Sequence, residues 1–297
     1  MSVSAVLMNP ARVRNVVDLR RSIHRALVAD GWPEPTWLQT STDDAGAGEA
    51  RKAIAAGAEV LFVCGGDGTV MAAAAVLAGS DTVLAVIPSG TGNLLAMNLG
   101  LPTDVLSAVR LATRGGRRRI DMGEVDGQLF TVAAGIGLDA QILADTPHRA
   151  KHRFGWLAYA AAALPHLGGQ TFPAEVRLDG CSAMTRDVRS VLVANVGRLP
   201  GGITLLPSAV PDDGLLDVAL IAASRIGEWA RLWASLQGRH PRGGRVETFR
   251  VRQVEVTTDH PQPREVDGEA LPSGSRLEVQ VRPRVLTICV PRALAMD

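Results

Sequence analysis

An apolar run that stops at a glycine-rich turn limits what this chain can fold into. Val60-Leu61-Phe62-Val63-Cys64 leads into Gly65-Gly66-Asp67-Gly68-Thr69, and a helix of small residues, 71–78, follows. Such a run bounded by Gly reads as a strand buried on both faces. The turn then places backbone N–H groups and a helix N-terminus at the carboxyl end of a sheet, where open α/β sheets bind anionic ligands. Glycines let the backbone approach a phosphate, and successive N–H groups can form an anion nest. Asp67 would repel that phosphate unless a bound Mg²⁺ or an oriented donor faced it. The plainer alternative is a tight turn whose aspartate caps its helix.

The flanking chain repeats this grammar. Residues 3–8 form an apolar run closed by Asn9-Pro10, with Arg12 and Arg14 just beyond. A helix over residues 13–29 stops at Asp30-Gly31, a strand is expected at 36–39, and a helix at 49–56 follows a loop of capping residues. After the central turn comes a strand at 83–87, then Pro88-Ser89-Gly90-Thr91-Gly92-Asn93-Leu94. Strands alternating with helices imply parallel βαβ units. Two Gly-rich turns at βαβ spacing can cradle one polyphosphate between them.

A domain boundary is expected after Arg114-Gly115-Gly116-Arg117-Arg118-Arg119, a basic run read as a solvated loop, with contact to phosphate or a lipid headgroup as the lesser alternative. Beyond it, β-like stretches at 120–125, 129–134, 175–178, 188–196, 215–221, 250–257 and 276–281 follow one another largely without helices, as in an antiparallel sheet or sandwich. The run 285–290 could close this domain or return to the first. Two helical insertions are expected. One runs from His148 to about Leu167, with a basic start through Arg149, Lys151 and Arg153 followed by Phe154, Trp156 and Tyr159, a pattern suited either to an anionic lipid surface or to a core helix with a basic end. The other, 226–236, carries an apolar stripe typical of packing.

With 297 residues and 46% hydrophobic composition, two cores can be filled. A net charge of +1 offers no global field for nucleic acid. Cys64, Cys181 and Cys289 are too scattered for a zinc site and fit a reducing compartment. The first residues enter a strand with no signal-peptide pattern, and no apolar stretch reaches membrane-spanning length. A cytoplasmic protein, at most peripheral on the inner membrane face, is expected.

Gly65-Gly66-Asp67-Gly68-Thr69 resembles the nucleotide loop shared by diacylglycerol and sphingosine kinases, NAD kinases and 6-phosphofructokinases. Further motifs choose among them. Asn9-Pro10, the run Leu206-Pro207-Ser208-Ala209-Val210-Pro211-Asp212-Asp213-Gly214-Leu215 and Asp267-Gly268-Glu269 are similar, in this order, to landmarks of the bacterial diacylglycerol-kinase-like lipid kinases. The Asn-Glu pair and Thr-Pro-Thr-Gly-Ser stretch of NAD kinases are missing, as is the Ile-Asp-Asn-Asp stretch of phosphofructokinases.

That resemblance implies an N-terminal three-layer α/β domain and a C-terminal β-sandwich, with an active-site cleft between them. It implies transfer of the γ-phosphate of ATP, with Mg²⁺, to the hydroxyl of diacylglycerol or a similar lipid alcohol. Asn9, Thr42, Gly65, Gly66, Asp67, Gly68, Thr69, Gly90, Thr91 and Asn93 would contact nucleotide, with Asp67 also serving metal. Arg14 matches a basic phosphate contact, and Asp121 an acidic cleft position. Glu269 matches the general base, and Asp213, with the carbonyls of Val210 and Leu215, a structural Mg²⁺ site. The implied partners are a lipid substrate, a peripheral membrane surface and a second copy of the chain, with no nucleic acid. One departure stands out: Leu94 occupies a position where many members carry Asp. It keeps open a second reading, a nucleotide-binding regulator or lipid carrier with impaired catalysis.

Overall fold

The computed structural model describes residues 3–13, 15–41, 44–137, 170–199, 203–223, 228 and 246–295. Two compact units emerge, Met1–Asp121 with Arg284–Asp297, and Met122–Pro283. Both insertions expected to be helical fall almost wholly outside the described residues.

The first unit contains β1 (Ser4–Met8), α1 (Val16–Ala29), β2 (Thr36–Gln39), α2 (Ala47–Ala55), β3 (Val60–Gly65), α3 (Asp67–Leu77), β4 (Val83–Pro88), α4 (Leu94–Asn98) and α5 (Val105–Arg114). Its strands run parallel in the order β4–β3–β1–β2. Every residue of β1 and β3 is buried because helices cover both faces. Val6, Met8, Phe62, Cys64 and Ile87 pack with Leu19, Ile23 and Leu27 of α1 and Ala108, Val109 and Ala112 of α5. Their alternating neighbours Leu7, Leu61, Val63 and Val86 are equally buried and turn to the opposite face, where α2 and α3 pack together. This is a three-layer α/β arrangement, and its strand order reverses between β3 and β1.

The second unit is a β-sandwich. Following β5 (Gly116–Val125), its strands are β6 (Gln128–Phe130), β7 (Ala133–Gly137), β8 (Phe172–Leu178), β9 (Met184–Val188), β10 (Ser190–Ala194), β11 (Arg198–Leu199), β12 (Ile203–Thr204), β13 (Leu216–Ile221), β14 (Val246–Val251), β15 (Gln253–Val266) and β16 (Glu269–Val290). One sheet runs β14–β13–β10–β7–β15, all antiparallel. The first half of β15 instead pairs with β8, which pairs with β9. The changeover lies where the β15–β16 register shifts between Thr257 and Arg264, and Pro261 and Pro263 interrupt the ladder there. Ile136, Val191, Val193, Val218 and Leu220 from one layer meet Val176, Val254, Val256, Leu277 and Val279 from the other.

Three local expectations change. The basic run 117–119 lies in β5 rather than in a loop. Arginine tolerates a strand because its stem packs while its head finds acceptors, as Arg117 does at the carbonyls of Ala112 and Gly116. The run 129–134 is two strands, because the amides of residues 131–133 bond to Asp267 instead of to a ladder. Residues 285–290 belong to β16, whose last part joins the first unit in parallel beside β4 through Ile288 and Leu84.

Candidate active site

In the first unit, the parallel register aligns Met8 with Cys64 and Gly65 with Pro88, so three loops leave the sheet at one edge. Backbone bonds join them: Asn9 N–H donates to the Cys64 carbonyl (2.9 Å) and Ser89 N–H to that of Gly65 (3.0 Å). Asn9 Nδ2 also donates to Thr69 Oγ1 at 3.2 Å, and Thr69 is buried. The two Gly-rich turns touch. A Cβ on Gly90 would stand 2.6 Å from Gly66 Cα, and one on Gly92 would stand 2.7 Å from Asp67 Oδ2. Only glycine permits that approach.

Asp67 joins the turns electrostatically. Its Oδ1 accepts the Leu94 N–H at 2.6 Å and its Oδ2 the Asn93 N–H at 2.9 Å. The oriented donors that its charge required are thus amides of the second turn. Asn93, in the left-handed region at φ 46°, closes that turn on itself: its Oδ1 accepts Gly90 N–H and its Nδ2 donates to Gly90 O. Leu94 buries its side chain and begins α4. By contrast, α3 begins just after Gly66, an N-cap with no side chain, so among the described residues its first amides have no side-chain acceptor. Thr91 is exposed at the rim.

Arg12, which the resemblance does not single out, lies beside this junction. Its Nε is 4.0 Å from where a Cβ on Gly66 would sit, and it is half-buried. The turn Asn9-Pro10-Ala11-Arg12, closed by Arg12 N–H on the Asn9 carbonyl, was the signal that could have found it. Arg14 and Thr42 lie outside the described residues. Asp121 is fully buried and accepts the Arg284 N–H at 2.7 Å, so it braces a backbone position with φ 52°.

The second unit holds the remaining candidates. Asp267 and Gly268 form a two-residue hairpin turn, with φ 45° and 82°, between paired Val266 and Glu269. Glu269 is exposed at the tip. Asp267 points back into the amides of residues 131–133, and burial pushes its carboxyl above the usual aspartate range while those donors pull it down. Elsewhere, Asp213 Oδ1 accepts the Leu215 N–H at 3.0 Å and its Oδ2 pairs with the Arg250 guanidinium. Neighbouring Asp217 is buried, which raises its carboxyl, and it accepts the Ser208 hydroxyl at 2.6 Å. Val210 is exposed.

These donor sets can be matched to the implied ligands. Uncapped α3 amides, glycines that admit close approach and the Arg12 cation suit a polyphosphate. Among the described residues no three His, Cys, Asp or Glu side chains gather as a metal cage. A Mg²⁺ ion at the first unit would therefore depend on nucleotide phosphates for much of its shell, as this hard, well-hydrated cation commonly does. At Asp213 a Mg²⁺ would have to share the carboxylate with Arg250, so the fit there is partial.

Comparison with known proteins agrees with this division. Residues 5–125 match the diacylglycerol kinase catalytic domain, and residues 131–290 match the YegS C-terminal NAD kinase beta sandwich-like domain. The chain is 32% identical over 212 residues to a diacylglycerol kinase of Mycobacterium tuberculosis, covering 69% of this chain and 68% of that one. It is 27% identical over 275 residues to the diacylglycerol kinase of Bacillus subtilis, covering 91% and 90%. The crystal structure of a diacylglycerol kinase from Bacillus anthracis shares the fold, with a TM-score of 0.76 at 22% identity over 99% of this chain and 98% of that one.

Proposed function

The chain belongs to the diacylglycerol-kinase-like lipid kinases, and from that premise we propose that it transfers the γ-phosphate of ATP to the hydroxyl of diacylglycerol or a similar lipid alcohol. The observation that carries the proposal is the pair of glycine turns held together by Asp67, beside the uncapped start of α3 and the Arg12 cation. Phosphoryl transfer needs positioning and charge neutralisation more than covalent participation. The turns' amides would cradle the phosphates, with Thr91 and Arg12 at their rim, and Mg²⁺ would neutralise phosphate charge. Glu269 is the proposed base for the acceptor hydroxyl, since an alcohol is a poor acid and a positioned carboxylate lowers the barrier.

A lipid acceptor makes a membrane surface the proposed partner. Among the described residues no helix is long and apolar enough to cross a bilayer. The burial of Leu94, which leaves the second turn with no carboxylate of its own at that position, favours the competing regulator or carrier reading.

One experiment separates the two. Purified protein is incubated with Mg²⁺, γ-labelled ATP and diacylglycerol in mixed micelles, and nucleotide binding is measured in parallel. The expected result is a labelled, phosphorylated diacylglycerol. Nucleotide binding with no label in diacylglycerol or in a total lipid extract would overturn the kinase reading and leave the regulator.

A further inference from the structure

The turn at Asp267-Gly268 is held far more firmly than a hairpin requires. Two residues with positive φ suffice for such a turn, and asparagine would serve as well as aspartate. Here the Asp267 carboxylate gathers four donors from the break between β6 and β7. Its Oδ1 accepts the N–H groups of Val132 (2.8 Å) and Ala133 (2.9 Å). Its Oδ2 accepts the N–H (2.8 Å) and hydroxyl (3.0 Å) of Thr131. Its own N–H donates to the Ala133 carbonyl at 2.8 Å.

The supporting layer is fixed in turn. Asn195, 1% exposed, donates its side-chain amide to the Thr131 carbonyl (3.1 Å) and its backbone N–H to that of Val132 (2.9 Å). Glu265, 5% exposed, accepts the Gly268 N–H at 2.9 Å. Thus one carboxylate ties the hairpin tip to a segment 134–136 residues away in sequence, and that segment is clamped from beneath. The residue at the end of this brace is Glu269.

We propose that Asp267 is a positioning residue for Glu269: its carboxylate, set in the amide cage of residues 131–133, holds the hairpin tip so that Glu269 meets the acceptor hydroxyl from one fixed place. This rests on Glu269 being the base in the proposed reaction. Proton transfer depends steeply on placement, and a displacement of about 1 Å can lower a rate on the order of a hundredfold. Asparagine at position 267 keeps the turn but offers one acceptor oxygen in place of two, and sets an NH₂ group against amide donors.

The test is a double-mutant cycle on the full chain with Mg²⁺–ATP and micellar diacylglycerol. Asp267→Asn should lower kcat about tenfold to a hundredfold with the KM for ATP unchanged. In a Glu269→Gln background the same change should have no further effect beyond about twofold, because the residue it acts through is gone. Thr131→Val, which removes only the hydroxyl donor, should lower kcat by about twofold to fivefold in the same manner. Wild-type kcat in D267N, or a loss that multiplies with that of E269Q, would overturn the proposal. If D267N does not fold, Thr131→Val decides, and unchanged kcat overturns it. An E269Q protein with wild-type turnover would instead refute Glu269 as the base, and the role of Asp267 with it.

Discussion

Replacing Asp67 with asparagine exchanges one carboxylate oxygen for an NH₂ group and separates two roles that the carboxylate could play. As a clasp between turns, Asp67 accepts Leu94 N–H at 2.6 Å and Asn93 N–H at 2.9 Å. Hydrogen bonds to a charged acceptor contribute about 1.5–3 kcal/mol each, and a buried amide left without a partner costs about 1–3 kcal/mol. Asparagine can serve one of the two amides with its carbonyl but turns an NH₂ group toward the other. The residue is only half-buried, so solvent offsets part of the loss, and about 2 kcal/mol is the expected effect. For a unit of this size that corresponds to a melting temperature lower by about 6–10 °C. The decisive condition is EDTA without nucleotide, because a clasp matters there and a metal ligand does not. D67N should melt lower in EDTA, and calorimetry should show weaker Mg²⁺–ATP binding because the second turn is no longer held. Identical melting of D67N and wild type in EDTA, with a difference appearing only when Mg²⁺–ATP is added, would refute the clasp and make Asp67 a ligand of the nucleotide complex.

Gly90→Ala forces a Cβ to 2.6 Å from Gly66 Cα, a backbone atom that cannot step aside, so ATP affinity should fall at least tenfold in calorimetry while the sandwich unit's circular dichroism is unchanged. Asp30 is held below the usual aspartate range by Arg114 first and then the Thr113 hydroxyl. A depressed carboxyl contributes stability above its unfolded pKa of about 3.9 and loses it as pH falls through the folded value. The difference in urea midpoint between wild type and Asp30→Asn should accordingly shrink from pH 7 to pH 3, and a constant difference would refute the pairing. If a Mg²⁺ shares Asp213 with Arg250, nucleotide-free wild type should gain thermal stability with added Mg²⁺ and Asp213→Ala should not. Equal shifts in both proteins would remove Asp213 from any metal shell.

Much of this was written locally in the chain. Apolar runs ending in Gly-Gly-Asp-Gly-Thr and in Pro-Ser-Gly-Thr-Gly-Asn identify β3, β4 and the turns after them, because strand burial and glycine's freedom are properties of adjacent residues. The Asp-Gly pair of the hairpin at 267–268 is a local signal of the same kind, and strand spacing separates an α/β unit from an antiparallel β unit, whose sandwich form was settled only by the family resemblance.

What a carboxylate grips was not legible. Asp67 could have capped its own helix, bound metal or met another loop, and only the parallel register of β3 and β4 brings the amides of Asn93 and Leu94 to it. The break in the 129–134 run was hidden for the same reason, since its apolar pattern continues while its amides turn to an aspartate more than a hundred residues downstream. Arg117 of β5 looked like a solvent-facing loop residue until tertiary folding supplied carbonyl acceptors for its head, while Arg119 stays exposed within the strand. Residues 285–290 read as a strand in either unit, and pairing beside β4 decided the matter. Local sequence fixes which backbone conformations and which buried faces are favourable. The partner of a buried donor or charge is fixed only when packing brings distant segments within hydrogen-bonding reach and removes the competing water.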